Sequence, residues 1–551
     1  LRQLRQIATY FKVITCSMNK KKQRSCLLFL TMMMLISVVL MACNNEETGG
    51  KKESDSGGNS SNNTLVFGRG GDTVNLDPAV VTDGESFRVT KNIFETLIEF
   101  DEDSTELIEG LATDWKVSDD GLTYTLTLRE GVKFHDGSDF NAEAVVYNFT
   151  RWASGDKEKY YYYNSQFGDV ITDVKAENST TVVITTSRPI APFFKNLAMS
   201  PFAIASPKAL KEAGDDFGSK VVVGTGPFVF KEWKANETIT LDKNPDYWKE
   251  GLPKLDKVIF EVIPDNAARF NALQAGEVDI IEGINYSDLP TIEANADLQV
   301  FQRPSLNVAY LGLTSTRGPL KDKKVRQALN YAVNKKAIIE AFYSGSAIPA
   351  INPMPPVVAG YNPDVEDYPY DPEKAKELLA DAGYTDGFEI ELWAMPVVRP
   401  YMPDGPKVAE AIQADFEAIG VKSKIVQYEW ATYLEKTRLG EADTFLLGWT
   451  GDNGDADNFL YVLLDKDNIG SNNYSYYSHD EVHDLLIEAQ STVDQAKREE
   501  LYKQAQVIIK EDAPWIPLVH SNPVLAGSTK VKNFIAHPTG SDWLDQVELV
   551  E

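Results

Sequence analysis

Two side chains of opposite charge follow strand-like segments in the C-terminal half of the chain. Arg399 lies in the loop after an alternating apolar segment, and Asp452 follows the apolar run 444–449. A guanidinium presents a planar fork that matches a carboxylate, and a carboxylate is the natural partner of an ammonium group. Because α/β sheets bind ligands at the carboxyl ends of their strands, we expect both residues to face one cleft.

A histidine pair could suggest metal chemistry but has a simpler interpretation. His479 and His483 have the four-residue spacing of two ligands on one helix face. However, Ser478 and Glu481 match a capping box, which predicts that a surface helix starts at this point. We therefore interpret the two histidines as helix surface residues.

Other motifs for chemistry are incomplete. The acidic run 452–457 lacks the spacing and the closing Glu of a calcium loop. The glycines of 224–226 follow an apolar run, but Pro227 replaces the rest of a dinucleotide loop, so a tight turn is expected. No Gly-x-Ser-x-Gly motif is present. The sequence predicts no enzyme activity, no catalytic residue, no metal site and no cofactor.

The segment 371–452 predicts the elements that must position Arg399 and Asp452. Apolar side chains recur at helical spacing in some stretches and alternate with polar side chains in others. Asp371 before Pro372 is typical of a helix start. The resulting β-α-β order predicts an α/β domain. We expect helices at 371–383, 408–420 and 431–439, strands at 388–393, 421–428 and 444–449, and, earlier in the chain, strands at 122–128 and 180–186 and a helix at 325–332.

The charge balance excludes some partners. The 551 residues carry 54 Lys and Arg against 82 Asp and Glu. Seven of the basic residues and none of the acids precede Cys43, so the remainder has a net charge near −35. Nucleic-acid binding needs a basic surface, and adhesion to an anionic membrane face does too. The acidic balance instead indicates a solvated surface, and we expect no nucleic-acid partner.

The N-terminal region has the order of an export signal. Met18 is followed by a basic run at 20–24, an uncharged apolar stretch at 26–42, and Cys43. Residues 1–17 are interpreted as upstream of the true start. The tetrapeptide that ends at Cys43, LMAC, resembles a lipobox, in which the thiol is lipidated and the chain is cut just before it. The alternative is an uncleaved N-terminal anchor, which would leave the rest of the chain on the same side of the membrane.

The cysteine count and the next segment agree with export. The three cysteines are Cys16, Cys26 and Cys43, so cleavage at the lipobox leaves one lipidated Cys and no disulfide. Residues 44–63 contain no large apolar side chain and are rich in Gly, Ser and Asn, which predicts a flexible tether. Its mean reach is roughly 25 Å on Gly/Ser-linker scaling.

Several blocks of sequence resemble one family. They are Gly110 to Thr125 with Leu128 to Gly137, Gly224 to Phe228, Asn244 to Trp248, and Val325 to Asn334. This combination is similar to the extracellular solute-binding proteins of the peptide/nickel family, family 5, across essentially all of 64–551. Within that family, the blocks Leu392 to Tyr401, Tyr428 to Trp430 and Gly448 to Phe459 resemble dipeptide-binding lipoproteins of ABC importers.

The resemblance implies a fold and a division of the chain. The implied fold is α/β and two-lobed, of the periplasmic-binding-protein type II class with three domains and a hinge of two segments near 305 and 522. Closure of the lobes would bury the ligand. The implied boundaries are 1–43 for the leader, 44–63 for the tether, 64–96, 222–304 and 523–551 for domain I, 97–221 for domain II, and 305–522 for domain III.

The resemblance also implies roles at the cleft. In dipeptide receptors, the Arg that matches Arg399 holds the ligand carboxylate, and the Asp that matches Asp452 holds its ammonium. A dipeptide spans only about 7 Å, so a site that binds both termini selects peptides by their length and not by their side chains. The further implied ligand contacts are Trp430, Tyr401, Gly451, Trp449 and Gly84. For the tryptophans, a place in the core is an open alternative, and charges at Asp83 and Glu85 depart from the family pattern around Gly84.

The sequence leaves alternatives to a dipeptide open. The same fold could bind an oligopeptide, glutathione, haem or a nickel chelate, although the Arg399 and Asp452 pair disfavours longer peptides. A surface hydrolase is disfavoured because the nucleophile and metal motifs are missing. The expected partners are a small peptide, the permease subunits of an ABC importer and the membrane through the lipid. The expected protein is a monomer at the outer face of the cell membrane.

Overall fold

The computed structural model describes residues 63–550. The predicted leader, the predicted lipid attachment site Cys43 and all of the predicted tether 44–63 except residue 63 lie outside the described residues. Within the described part, no helix combines the length and the apolar composition needed to cross a bilayer.

A seven-stranded sheet is built from distant parts of the chain. Its first strand, Thr64–Arg69, pairs in parallel with Lys257–Val262 and with Ile280–Ile281. The remaining neighbours are antiparallel, and the chain returns to this sheet after 523 to add Val524–Ser528. The strand order is Leu298–Gln302, Val524–Ser528, Ile280–Ile281, Thr64–Arg69, Lys257–Val262, Thr238–Lys243 and Phe228–Lys234.

A four-stranded antiparallel sheet lies beside it. Its order is Ala112–Val117, Thr123–Leu128, Thr181–Thr186 and Ile171–Asn178, which confirms the two strands predicted from the alternating apolar residues. Backbone hydrogen bonds such as Ile204 N–H to the carbonyl of Glu95 link this part to the seven-stranded part. We call these two sheets and their helices the first lobe.

A six-stranded mixed sheet, the core of what we call the second lobe, carries the predicted site residues. The predicted strands form Phe388–Trp393, Val421–Val426 and Thr444–Thr450, and Phe388–Trp393 runs parallel to both of the others. The central strand, Asn307–Leu313, is buried at every position, as is typical of a strand that is covered on both faces. The order is Ala347–Pro349, Trp515–Ser521, Asn307–Leu313, Thr444–Thr450, Phe388–Trp393 and Val421–Val426.

The helices begin mostly where a short polar side chain can cap them. Asp371 accepts a hydrogen bond from the N–H of Lys374, which confirms the predicted start of that helix. The helices are Gly84–Thr90, Ala142–Ser154, Tyr161–Gln166, Phe193–Leu197, Pro207–Ala213, Asn266–Ala275, Leu289–Glu293, Lys323–Ala332, Lys335–Phe342, Pro372–Asp381, Gly405–Ala418, Trp430–Arg438, Asp457–Leu464, Asp480–Ser491 and Gln495–Asp512.

One predicted cap is wrong by a residue. The helix Asp480–Ser491 is capped by His479, whose Nδ1 accepts the N–H of Val482 at 3.4 Å, and not by Ser478. An imidazole nitrogen can therefore take the place of the hydroxyl that the capping-box pattern requires. The helix itself is where the sequence predicts it.

The chain crosses between the lobes twice. It leaves the seven-stranded sheet after Gln302 to enter the strand that begins at Asn307, and it returns between Ser521 and Val524. These crossings lie at the two hinge positions implied by the resemblance. The α/β, two-lobed fold class is confirmed, and the three-domain boundaries stay a prediction.

Candidate functional site

A cavity of about 770 Å³ lies between the two lobes. This volume is within the range of about 300–1,000 Å³ that is typical of small-molecule sites. Its principal lining residues are Thr82, Tyr161, Tyr162, Arg188 and Asn196 from the first lobe, and Tyr310, Arg399, Tyr401, Trp430, Trp449, Asp452, Asp457, Tyr461 and Gln490 from the second lobe. The structure therefore brings Arg399 and Asp452 to one cavity.

Arg399 lies in a tight turn after the strand Phe388–Trp393. Its backbone N–H and carbonyl exchange hydrogen bonds with Met402 at 3.0 and 2.9 Å, which fixes the turn. The exposed side chain stacks over the Trp430 ring, with Cζ 5.4 Å from the ring centroid, and one Nη donates to the Val398 carbonyl at 3.2 Å. Among the described residues it makes no ion pair, so its fork is available for an anion.

The Tyr401 ring packs against Gly448 of the neighbouring strand, which has no side chain. A Cβ added at Gly448 would lie only 2.2 Å from the Tyr401 Cδ2. The Tyr401 carbonyl also accepts a hydrogen bond from the Tyr343 hydroxyl at 2.8 Å. Burial raises the pKa of the Tyr401 hydroxyl to about 12, although Arg399 acts in the opposite direction. Tyr401 is therefore a neutral donor in the cavity wall.

Asp452 is a mostly buried carboxylate without a cationic partner. Burial raises its pKa to about 6, and only long hydrogen bonds from Asn458 Nδ2 and Tyr162 Oη, both 3.4 Å, oppose that shift. No ion pair with the part of the chain that the structure describes compensates the charge. An uncompensated carboxylate in such a place is costly, and a cationic ligand would remove the cost.

The two tryptophans lie in the wall as predicted, and each also packs on the second lobe. Trp430 stacks on Tyr433 with ring centroids 5.8 Å apart, and it begins the helix Trp430–Arg438. Trp449 donates its indole N–H to Asn458 Oδ1 at 2.9 Å. The core alternative is thus partly correct, because both rings are partly buried against the core of the second lobe and line the cavity as well.

Two predicted contacts, Gly84 and Gly451, are not among the lining residues. Gly84 begins the helix Gly84–Thr90, two residues after Thr82, which does line the cavity. Gly451 donates its N–H to the Leu306 carbonyl at 2.7 Å. Both lie next to wall residues, and their proposed contact with a ligand stays a prediction.

Sequence reasoning missed the first-lobe wall and one acid of the second lobe. Tyr161 and Tyr162 stand in the unusual run of four tyrosines at 160–163, which was a usable signal for an aromatic surface. Arg188 is exposed on the first lobe. Burial and the like charge of Asp455 raise the pKa of Asp457 to about 7. The cavity therefore carries two guanidiniums and two carboxylates.

The histidine pair does not form one site. His479 caps its helix, whereas His483 Nδ1 lies 3.1 Å from both oxygens of the buried Asp465. Asp465, Asp467 and His483 place ligand-type atoms within 4.8 Å of one another, the only such group of three found within the described residues. The short contact with Asp465 is that of a hydrogen-bonded histidine and carboxylate pair.

Known proteins are similar to this chain in sequence and in fold. The sequence model of the family described as bacterial extracellular solute-binding proteins, family 5, middle region, matches residues 106–471. The heme-binding protein A of Haemophilus influenzae is 40% identical over 498 residues, which are 87% of this chain and 91% of that protein. The dipeptide-binding protein of Escherichia coli K12 is 39% identical over 507 residues, covering 88% and 94%.

A solved structure extends the similarity to three dimensions. The dipeptide-binding protein of Pseudoalteromonas sp. SM9913, in complex with Met-Leu, superposes with a TM-score of 0.77 at 30% identity, covering 88% of this chain and all of that one. These relatives are binding proteins, so this chain is a solute-binding component of transport and not an enzyme. The chain belongs to family 5 of the bacterial extracellular solute-binding proteins.

Proposed function

We propose that this protein captures dipeptides outside the cytoplasm by closing its two lobes around them, and that it delivers them to the permease of an ABC importer. The observation that carries the proposal is the pairing of charges in one cavity. Asp452 is a carboxylate without a cation, and Arg399 is a guanidinium without an anion. A zwitterion with a free amino end and a free carboxyl end supplies both missing partners.

Two similar proteins also support a dipeptide as the ligand. One relative that covers nearly the whole chain is named a dipeptide-binding protein, and a structural neighbour was solved with Met-Leu. Aromatic side chains such as Tyr161, Trp430 and Trp449 supply apolar contact area for ligand side chains. The cavity has more free volume than the backbone of a dipeptide held between Arg399 and Asp452 would fill, which fits a receptor that tolerates many side chains.

Calorimetry with blocked dipeptides tests the proposal. We expect Ala-Ala to bind, N-acetyl-Ala-Ala to bind at least about 100-fold more weakly, and the amidated Ala-Ala to lose a similar factor, because each block removes one charge pair. Arg399→Ala should remove the preference for a free carboxylate and leave the preference for a free amine. Equal affinity for free and blocked peptides would refute the roles of both residues.

A second candidate is a larger ligand, and the cavity volume favours it. About 770 Å³ would hold a longer peptide or a flat ligand such as haem, and one relative is named a heme-binding protein. The cavity wall, which lies wholly within residues 63–550, contains no His, Met or Cys, so Tyr is the side chain there that could coordinate haem iron. Titration with haemin, followed by the Soret band, and mass spectrometry of retained ligand would separate the two candidates.

We also propose that a lipid on Cys43 holds the protein at the outer face of the membrane as a monomer, with 44–63 as the tether. The support is the lipobox-like sequence and the polar composition of the tether. The wild type should be labelled with radioactive palmitate, and Cys43→Ser should abolish that labelling because the thiol that carries the lipid is gone. A wild type without label, or a variant that is labelled as strongly, would indicate the uncleaved anchor instead.

A further inference from the structure

The loop that holds Asp452 also binds the opposite lobe. Its next residue, Asn453, donates from Nδ2 to Asn196 Oδ1 of the first lobe at 2.8 Å. The following carbonyl, that of Gly454, accepts a hydrogen bond from Lys195 Nζ at 2.9 Å. Both amides are buried, with 2% exposure for Asn453 and 1% for Asn196. These groups satisfy each other across the boundary between the lobes.

The approach of the two lobes at this point is tight. Gly454 has φ of +63°, and a Cβ there would lie 2.0 Å from the Thr105 Oγ1 of the first lobe. A glycine is needed for the conformation and for the contact. Nearby, the Ala191 N–H of the first lobe donates to the Gln490 carbonyl of the second at 2.9 Å. The same face thus includes backbone hydrogen bonding between the lobes.

The loop is rigidly attached to its own lobe. Asn453 Oδ1 accepts the N–H of Asp455 at 3.0 Å, which fixes the amide so that Nδ2 points to the first lobe. Asp455 in turn forms a buried, bidentate pair with Arg498 at 2.6 and 2.7 Å. Asp452 and the latch contacts of Asn453 and Gly454 therefore belong to one loop that these bonds hold to the second lobe.

We propose that Asn453, with Lys195 and Asn196 opposite, forms a closure latch that couples capture of the ligand ammonium at Asp452 to docking of the lobes. Asn453 and Lys195 are positioning residues, because neither is among the residues that line the cavity. The proposal rests on the proposed function for the ligand. The latch contacts join protein groups only, so their variants can be tested separately from the ligand.

Hydrogen–deuterium exchange of the Ala191 amide tests the latch in the ligand-free protein. That N–H is bonded only while the lobes are docked, so its exchange reports their opening. We expect Lys195→Met and Asn453→Ala to speed exchange in a peptide covering 190–193 by about tenfold, which corresponds to ~1.4 kcal/mol. A peptide covering the strand 181–186 should exchange as in the wild type.

A matched control and a kinetic measurement complete the test. Lys157→Met removes an exposed lysine of the same lobe, whose ion pair with Asp169 is 3.7 Å long, and it should change neither peptide. With dipeptide bound, both latch variants should also release it about tenfold faster. Unchanged exchange at Ala191, or an equal increase in both peptides, would overturn the latch. Failure of dipeptides to bind would refute the proposed function and leave the exchange result standing.

Discussion

Replacing Asp452 by Asn should weaken ligand binding and at the same time stabilise the empty protein. The carboxylate has no cation, and burial raises its pKa from 3.8 to about 6. One pKa unit corresponds to about 1.4 kcal/mol, so the ionised form costs the fold about 3 kcal/mol at pH 8. Asn keeps the shape and removes the charge. We expect an increase in the free energy of unfolding of up to about 3 kcal/mol.

The sign of the pH dependence is specific to this residue. A carboxyl whose folded pKa is raised binds its proton more tightly in the folded state, so the wild type loses stability as the pH rises from about 4 to about 6. Above that window the full penalty is present. The advantage of Asp452→Asn should therefore be complete at pH 8 and absent near pH 4.

Binding should change in the opposite direction. Removing one member of a buried charge pair costs about 2–5 kcal/mol, so the variant should bind Ala-Ala at least about 30-fold more weakly. Urea unfolding at pH 8 and pH 4 gives the stability, and calorimetry at pH 8 gives the affinity. A variant that binds as tightly as the wild type, or that is less stable at both pH values, would refute the assignment of Asp452 as an unpaired ligand site.

Three further outcomes are expected. The affinity of the wild type should fall about tenfold for each pH unit below about 6, because Asp452 must be ionised to hold an ammonium; a flat calorimetric profile from pH 8 to 5 would contradict this. Gly448→Ala should drive its Cβ into the Tyr401 ring, costing about 1–3 kcal/mol in urea unfolding and weakening dipeptide binding. Asp455→Ala leaves Arg498 buried without its bidentate partner and should lower the free energy of unfolding by about 3–5 kcal/mol; a change below about 1 kcal/mol would contradict the pairing.

Local patterns in the sequence were enough for three of the six strands of the second lobe's sheet, but not for its central strand, Asn307–Leu313. The strand Phe388–Trp393 and the helix starting at Pro372 lie where alternation and capping predicted them, because both signals act over a few residues. The cap at His479 shows the limit of such signals. Neighbouring Ser478 and His479 both offer an acceptor, and the local pattern does not decide between them.

What the sequence determined by itself is the pair of charges that follow two strand ends, together with the family that its motifs identify. Arg399 and Asp452 reach one cavity because their strands share a sheet, which the β-α-β order already implies. Only the tertiary structure decided which residues of the first lobe form the opposite wall of the cavity. Tyr162 meets Asp452, and Asn196 meets Asn453, across 290 and 257 residues of chain. Such contacts depend on how the two lobes pack, and the spacing of residues along the chain does not reveal that packing.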